Sequence, residues 1–200
     1  DLMTGKSDTI FAPNADTTRG MIVTILYRLE GEPSVSDNCH FADVKSGSYY
    51  EKAITWAAAK GIVSGYGNNQ FGPDDPITRE QMCQLLSSYT AYAEITLTKT
   101  AEEKTFADAA DISGWAKEAV SSCQTAEIVS GKDGNRFDPQ GTASRAEAAT
   151  LLTNFHKLYA IDANLTIGDF VIVYPAEGTV YEQYAAELLE SALEKQFDVD

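Results

Sequence analysis

Gly65-Tyr66-Gly67-Asn68-Asn69-Gln70-Phe71-Gly72-Pro73, leading to Ile77-Thr78-Arg79-Glu80-Gln81, decides the fold because the chain contains the pattern three times. The first copy is Gly5-Lys6-Ser7-Asp8-Thr9-Ile10-Phe11-Ala12-Pro13, leading to Thr18-Arg19. The third is Gly131-Lys132-Asp133-Gly134-Asn135-Arg136-Phe137-Asp138-Pro139, leading to Ser144-Arg145. Phe11, Phe71 and Phe137 are separated by the same two intervals as Arg19, Arg79 and Arg145. A repeat of that period means one supersecondary unit used several times. The Gly, Asn and Asp residues supply the positive φ of a tight reversal. Phe is the apolar plug of the loop, and Pro13, Pro73 and Pro139 stop a helix from running through it.

Thr18, Thr78 and Ser144 stand where an N-cap hydroxyl belongs. Gln81 and Glu147 complete capping boxes with Thr78 and Ser144, whereas the first copy has Met21 there. Beyond each cap the apolar spacing is helical: Ile22, Ile25, Leu26 and Leu29; Met82, Leu85, Leu86 and Tyr89; Ala148, Leu151, Leu152 and Phe155. A second helix precedes the loop in two copies, opened by Phe41-Ala42-Asp43-Val44 and by Phe106-Ala107-Asp108. The predicted helices are therefore 18–30, 49–60, 78–92, 115–126 and 144–159. Asp1 to Gly5 correspond to Gly61 to Gly65, so the first copy holds only the second half of a unit. The spacing predicts that Ile22, Ile25, Leu26 and Leu29 lack one natural neighbour. Upstream residues, the C-terminal segment or self-association with a second copy would then cover that face.

The combination Phe41-Ala42-Asp43-Val44, Tyr49-Tyr50, Gly61-Ile62-Val63-Ser64-Gly65-Tyr66 and Phe71-Gly72-Pro73 to Ile77-Thr78-Arg79-Glu80-Gln81 resembles the S-layer homology module. The likeness covers about residues 1–160. It divides the chain into a half repeat at 1–33, repeats at 39–95 and 104–160, and a tail at 161–200. The resemblance implies a mainly α fold of three helix–loop–helix units in a pseudo-threefold arrangement. It also implies an extracellular protein held non-covalently to an anionic, pyruvylated secondary polysaccharide of a bacterial cell wall. The residues it points to for the polysaccharide are Arg19, Arg79, Arg145, Asp43, Asp108, Gly61 and Trp56. The family's T-R-A-E reads Thr18-Arg19-Gly20-Met21, Thr78-Arg79-Glu80-Gln81 and Ser144-Arg145-Ala146-Glu147. Gly61 is replaced by Glu127 in the third copy, where an acid would repel an anion. The second copy, with Asp43, Gly61 and Arg79, is thus the expected leading site.

The formal charge of −15 over 200 residues argues against nucleic acid, which needs a basic footprint, and against an anionic membrane surface. Recognition of an anionic polymer is then local: an Arg at a helix N-terminus, beside free backbone N–H groups and the positive end of the dipole. For the three arginines the alternative is a purely structural ion pair in the first helical turn. No apolar run reaches the length of a membrane helix, so membrane insertion is not expected. Export requires a signal peptide, which the chain lacks, so the gene product is expected to extend upstream.

Cys39, Cys83 and Cys123 are an odd number in spacings that suit no zinc site. Cys83 and Cys123 fall on helical patterns as small core residues. His40 and His156 have no second ligand nearby in sequence. Asp133-Gly134-Asn135 opens like a calcium loop but lacks its later acids, so it reads as a turn. No catalytic signature occurs, and no metal, cofactor or catalytic residue is expected. Trp56 and Trp115 both sit on apolar helical patterns, as core residues do. Trp115 shares the register of Tyr49. Trp56 has Ser122 as its counterpart, so the repeat does not require it, and it is the tryptophan expected at a groove.

The tail changes character. Phe170-Val171-Ile172-Val173-Tyr174-Pro175 reads as a strand, and Thr179 caps a helix over Val180 to Gln196 with Tyr184, Leu188, Leu189 and Leu193 on one face. This β–α unit resembles the opening of the small α/β domain of alpha-glucuronidase-like surface glycosidases. Two readings stand: the start of a further domain, or an extension docked on the helical part. Two functions stand with them: a wall anchor without catalysis, or the front of a surface carbohydrate-active enzyme whose catalytic domain lies beyond residue 200.

Overall fold

The hydroxyl before each repeated arginine caps a helix in the computed structural model, which describes residues 3–5, 7, 9–36 and 38–162. Thr18 caps α1 (Arg19–Leu29), Thr78 caps α3 (Arg79–Tyr92) and Ser144 precedes α5 (Arg145–Asp162). The boxes form as the sequence requires. Gln81 N–H donates to Thr78 Oγ1 at 3.3 Å while Thr78 N–H donates to Gln81 Oε1 at 3.1 Å. Glu147 and Ser144 make the same exchange at 3.2 and 2.8 Å. With Met21 in the box position, α1 keeps only the bond from Met21 N–H to Thr18 Oγ1.

Between these lie α2 (Glu51–Ala59), a single 3-10 turn at Ala109–Asp111, and α4 (Lys117–Thr125). Neither α2 nor α4 has a side-chain cap. Both start two residues inside the predicted limits. Both stop through a left-handed residue, Gly61 at φ 70° and Glu127 at φ 56°. Ile62 N–H then returns to Ala57 O, and Ile128 N–H to Cys123 O, and both isoleucines are buried. The described residues are mainly helical and contain no strands, only isolated bridges.

Three of those backbone contacts close a ring. Thr17 N–H donates to Ala143 O at 2.9 Å, Ala143 N–H to Ile77 O at 3.0 Å, and Ile77 N–H to Thr17 O at 2.9 Å. These residues occupy the same position in each copy, just before the N-cap. Each copy's loop therefore lies against the other two. Thr17, Ile77 and Ala143 are buried, and the Thr17 hydroxyl has no hydrogen-bond partner.

The helices pair across copies: α1 packs on α2, and α3 packs on α4. This corrects the expectation for the first copy. Ile22, Ile25 and Leu26 are buried, because α2 of the second copy covers α1. Trp56 sits beneath α1 and α3, with ring centroids 5.6 Å from both Tyr27 and Tyr92, and its indole nitrogen is buried without a partner. No described helix is long and apolar enough to cross a membrane. The β–α unit expected in the tail lies outside the described residues.

Candidate functional site

Each repeated arginine starts a helix in one copy and ends in the loop of the next. Arg19 Nε donates to Phe71 O at 3.0 Å, Arg79 Nε to Phe137 O at 2.7 Å, and Arg145 Nε to Phe11 O at 2.8 Å. The Nη2 groups reach Ser64 O, Ser130 O and Thr4 O at 3.5, 3.0 and 2.6 Å. The guanidinium carbons lie 4.6, 5.1 and 4.9 Å from the Phe71, Phe137 and Phe11 rings. All three arginines are buried. Burial pulls the pKa of Arg19 below its ordinary value, against the opposing pull of Tyr66, Asp75 and Asp43. A guanidinium stays charged even so.

The helix N-termini are not open to an anion. Arg19 and Gly20 N–H donate to Asp75 O and Pro73 O, Arg79 and Glu80 N–H to Gly141 O and Pro139 O, and Arg145 and Ala146 N–H to Ala15 O and Pro13 O. The expected free amides are thus satisfied by neighbouring loops, since first-turn donators left buried without partners would cost stability.

Asp43 and Asp108 hold the same loops from the opposite side. Asp43 accepts from Phe71 N–H at 2.9 Å and from Gly72 N–H at 2.7 Å. Asp108 accepts from Phe137 N–H at 2.7 Å and Asp138 N–H at 2.8 Å. Burial pushes both carboxyls up. For Asp43 the amides of Phe71 and Gly72, with Arg19, outweigh it; for Asp108 those of Phe137 and Asp138, with Arg136, do so. Both groups end below the ordinary carboxylate value. The Phe71 and Phe137 peptides are therefore clamped, N–H by an Asp of their own copy and C=O by an Arg of the copy before.

The clamped loops frame grooves, and the grouping differs from the one expected. Gly61 shares a groove with Arg19, not with Arg79. This groove, about 380 Å³, is lined by Arg19, Gly61, Ser64 and Tyr66, by Gln81 and Gln84 of α3, and by Trp115. Three copies contribute to it. Among its described lining residues there is no carboxylate. Trp115 and Tyr66 are 55% and 54% exposed, so their rings are available to a ligand.

Arg79 lies in a second groove of about 270 Å³ with Ser130, Lys132, Glu147 and Asn154. Here the positive charge is answered internally: Glu147 Oε1 is 3.3 Å from both Arg79 Nη1 and Lys132 Nζ. Burial raises the Glu147 pKa, but Ser144 N–H, Lys132 and Arg79 together bring it below the ordinary value. Glu127 faces neither groove; it borders a third of about 330 Å³ with Lys104, Phe106 and Asn135.

The structure thus places Arg19 and Gly61 together at one groove and Arg79 at another. Asp43 and Asp108 lie behind the loops, and Trp56 is in the core at 3% exposure. Trp115, expected in the core, is the exposed tryptophan. Its shared register with Tyr49, itself 58% exposed, was the available signal. Tyr66, Gln81 and Gln84 were not foreseen as lining, because Gln81 was accounted for by its capping role.

Comparison with known proteins matches residues 40–83 and 105–149 to the S-layer homology domain. The chain is 37% identical over 155 residues to an amylopullulanase of Thermoanaerobacterium thermosulfurigenes, covering 76% of this chain and 8% of that protein. It is 35% identical over 155 residues to exoglucanase XynX of Acetivibrio thermocellus, covering 76% of this chain and 14% of that protein. It is 26% identical over 118 residues to S-layer protein EA1 of Bacillus anthracis, covering 59% of this chain and 13% of that protein. The chain therefore spans a small part of the length of these relatives.

Proposed function

Residues 40–83 and 105–149 are S-layer homology domains, so the chain belongs to that family of extracellular, cell-wall-associated proteins, and on that premise we propose that it is a wall anchor. It holds a secreted protein non-covalently to an anionic, pyruvylated secondary cell-wall polysaccharide. The three copies are arranged with pseudo-threefold symmetry, a reading supported by the closed Thr17–Ile77–Ala143 ring and the cyclic order of the arginine contacts.

One observation carries the site: the groove of Arg19, Gly61 and Trp115 joins a buried guanidinium to an exposed indole without a carboxylate in its described lining. Arg19 supplies a fixed local positive charge despite the net acidity of the chain. Trp115 offers an apolar face to a sugar ring. Gln81, Gln84 and Ser88 supply neutral donors and acceptors for hydroxyls. Gly61, in the left-handed region with nothing near its absent Cβ, leaves the groove open at its position. The groove at Arg79 is the weaker candidate, since Glu147 already pairs with its cations.

The chain works as a binding module and not as a catalyst. Relatives named as amylopullulanase, exoglucanase and endoglucanase favour a second, compatible reading in which the anchor serves a surface carbohydrate-active enzyme. The test is retention on purified wall sacculi before and after extraction of the secondary polymer. Retention is expected only on unextracted sacculi, and Trp115→Ala should weaken it about two- to tenfold, the scale of one aromatic contact. Because Trp115 is exposed, its loss should leave the melting temperature unchanged. Equal retention on extracted sacculi would refute the polysaccharide reading.

A further inference from the structure

Two of the three cysteines meet at the boundary between the second and third copies. Cys83 is on α3 and Cys123 on α4, helices that pack together. Both side chains are fully buried. Cys123 Sγ lies 4.0 Å from Cys83 O, and the two thiols hydrogen-bond to each other. The equivalent positions in the α1–α2 pairing are Val23 and Ala57, also fully buried. The repeat therefore asks only for small apolar residues there, and packing by itself does not call for sulfur at both positions. Cys39, the third cysteine, is half-buried in the approach to α2.

We propose that Cys83 and Cys123 are joined by a disulfide in the exported protein, stapling the second copy to the third. The family places the chain outside the cell, where disulfides form and persist. The oxidant is a low-molecular-weight disulfide, RSSR. One cysteine attacks it as the thiolate, forming a mixed disulfide and releasing the first RSH. The second cysteine gives up its proton, attacks the protein sulfur of the mixed disulfide and expels the second RSH. The two cysteine sulfurs are oxidised, RSSR takes up the two electrons, and both thiol protons leave on the two RSH molecules.

The setting decides when the bond forms. The Cys83 thiol is pushed well above its ordinary pKa, first by its hydrogen bond with Cys123 and then by burial. A buried neutral thiol is a poor nucleophile. The exchange therefore belongs to folding, before α4 closes on α3, and the finished core then shields the bond from reductant. The cysteines are 40 residues apart, so the bond also removes freedom from the unfolded chain. It ties α3, which brings Gln81 and Gln84 to the Arg19 groove, to the helix that follows Trp115.

The test uses the full 200-residue chain, reduced, unfolded in urea and refolded in a mixture of oxidised and reduced glutathione. Remaining thiols are blocked with iodoacetamide, and the chain is cut with trypsin without reduction. Mass spectrometry should find peptides 80–99 and 118–132 linked, and peptide 29–45 alkylated at Cys39. The oxidised protein should melt about 5–15 °C above the same protein kept in dithiothreitol. Cys39→Ser should keep that difference, and Cys83→Ala and Cys123→Ala should each abolish it. Each variant is compared only with its own reduced form, so that any loss of core packing cancels. Three alkylated cysteines after oxidative refolding would overturn the proposal. So would a bridge through Cys39, or an oxidised form that melts no higher than the reduced one.

Discussion

Replacing Arg19 by Met keeps the length and apolar stem of the side chain and removes its charge and donors. In the native protein Nε holds the Phe71 carbonyl at 3.0 Å, and the guanidinium lies 4.5 and 4.6 Å from the Tyr66 and Phe71 rings. A buried carbonyl left without its donor costs about 1–3 kcal/mol. Each aromatic face adds about 0.5–1 kcal/mol. The expected destabilisation is about 3 kcal/mol in all, since the contact to Ser64 at 3.5 Å is long and adds little. For a domain of this size that lowers the melting temperature by about 6–12 °C. Far-UV circular dichroism on heating measures it. Lys52→Met is the control: Lys52 is exposed on α2, where a substitution changes stability by about 0.5 kcal/mol or less. If Arg19→Met melts with the control, the arginine is not a structural clamp and its position in the groove needs another explanation.

Three further outcomes follow from the same geometry. Asp43 and Asp108 have folded pKa values below the ordinary 3.8, so their contribution is complete above that value and is lost as pH falls through the lower folded values. The double variant Asp43→Asn, Asp108→Asn should be less stable at neutral pH and lose less on acidification, in urea melts run at a series of pH values. Thr17→Val removes a buried hydroxyl that has no partner, at a position where the other copies have Ile77 and Ala143. It should raise stability by about 1 kcal/mol, or about 2–4 °C in melting temperature. Gly61→Ala places a side chain at φ 70° and should cost about 1 kcal/mol while nothing within 4 Å clashes with it; a calorimetric scan checks both the size and the absence of wider disruption.

The helices and their ends were legible in the chain because their causes are local. Thr78 and Gln81, or Ser144 and Glu147, meet within one turn, and the apolar spacing after them reports contacts three and four residues apart. The repeat itself was legible for the same reason, since each copy carries the same turn chemistry at Gly, Phe and Pro. Three like units, however, leave open which copy answers which. Periodicity says that Ile22 and Leu26 face a core but not that α2 of another copy supplies it. It says that Arg79 begins a helix but not that Nε ends on Phe137 O. Only closure of the Thr17–Ile77–Ala143 ring fixed that order, and with it the composite groove of Arg19, Gly61 and Trp115. The exchange of roles between the tryptophans has the same origin. Both sit on helical apolar patterns, but Trp56 meets Tyr27 and Tyr92 from other helices, while Trp115 lies just before α4 at the edge of a neighbouring copy's groove. Burial there depends on partners distant in sequence, and a local pattern carries no record of them.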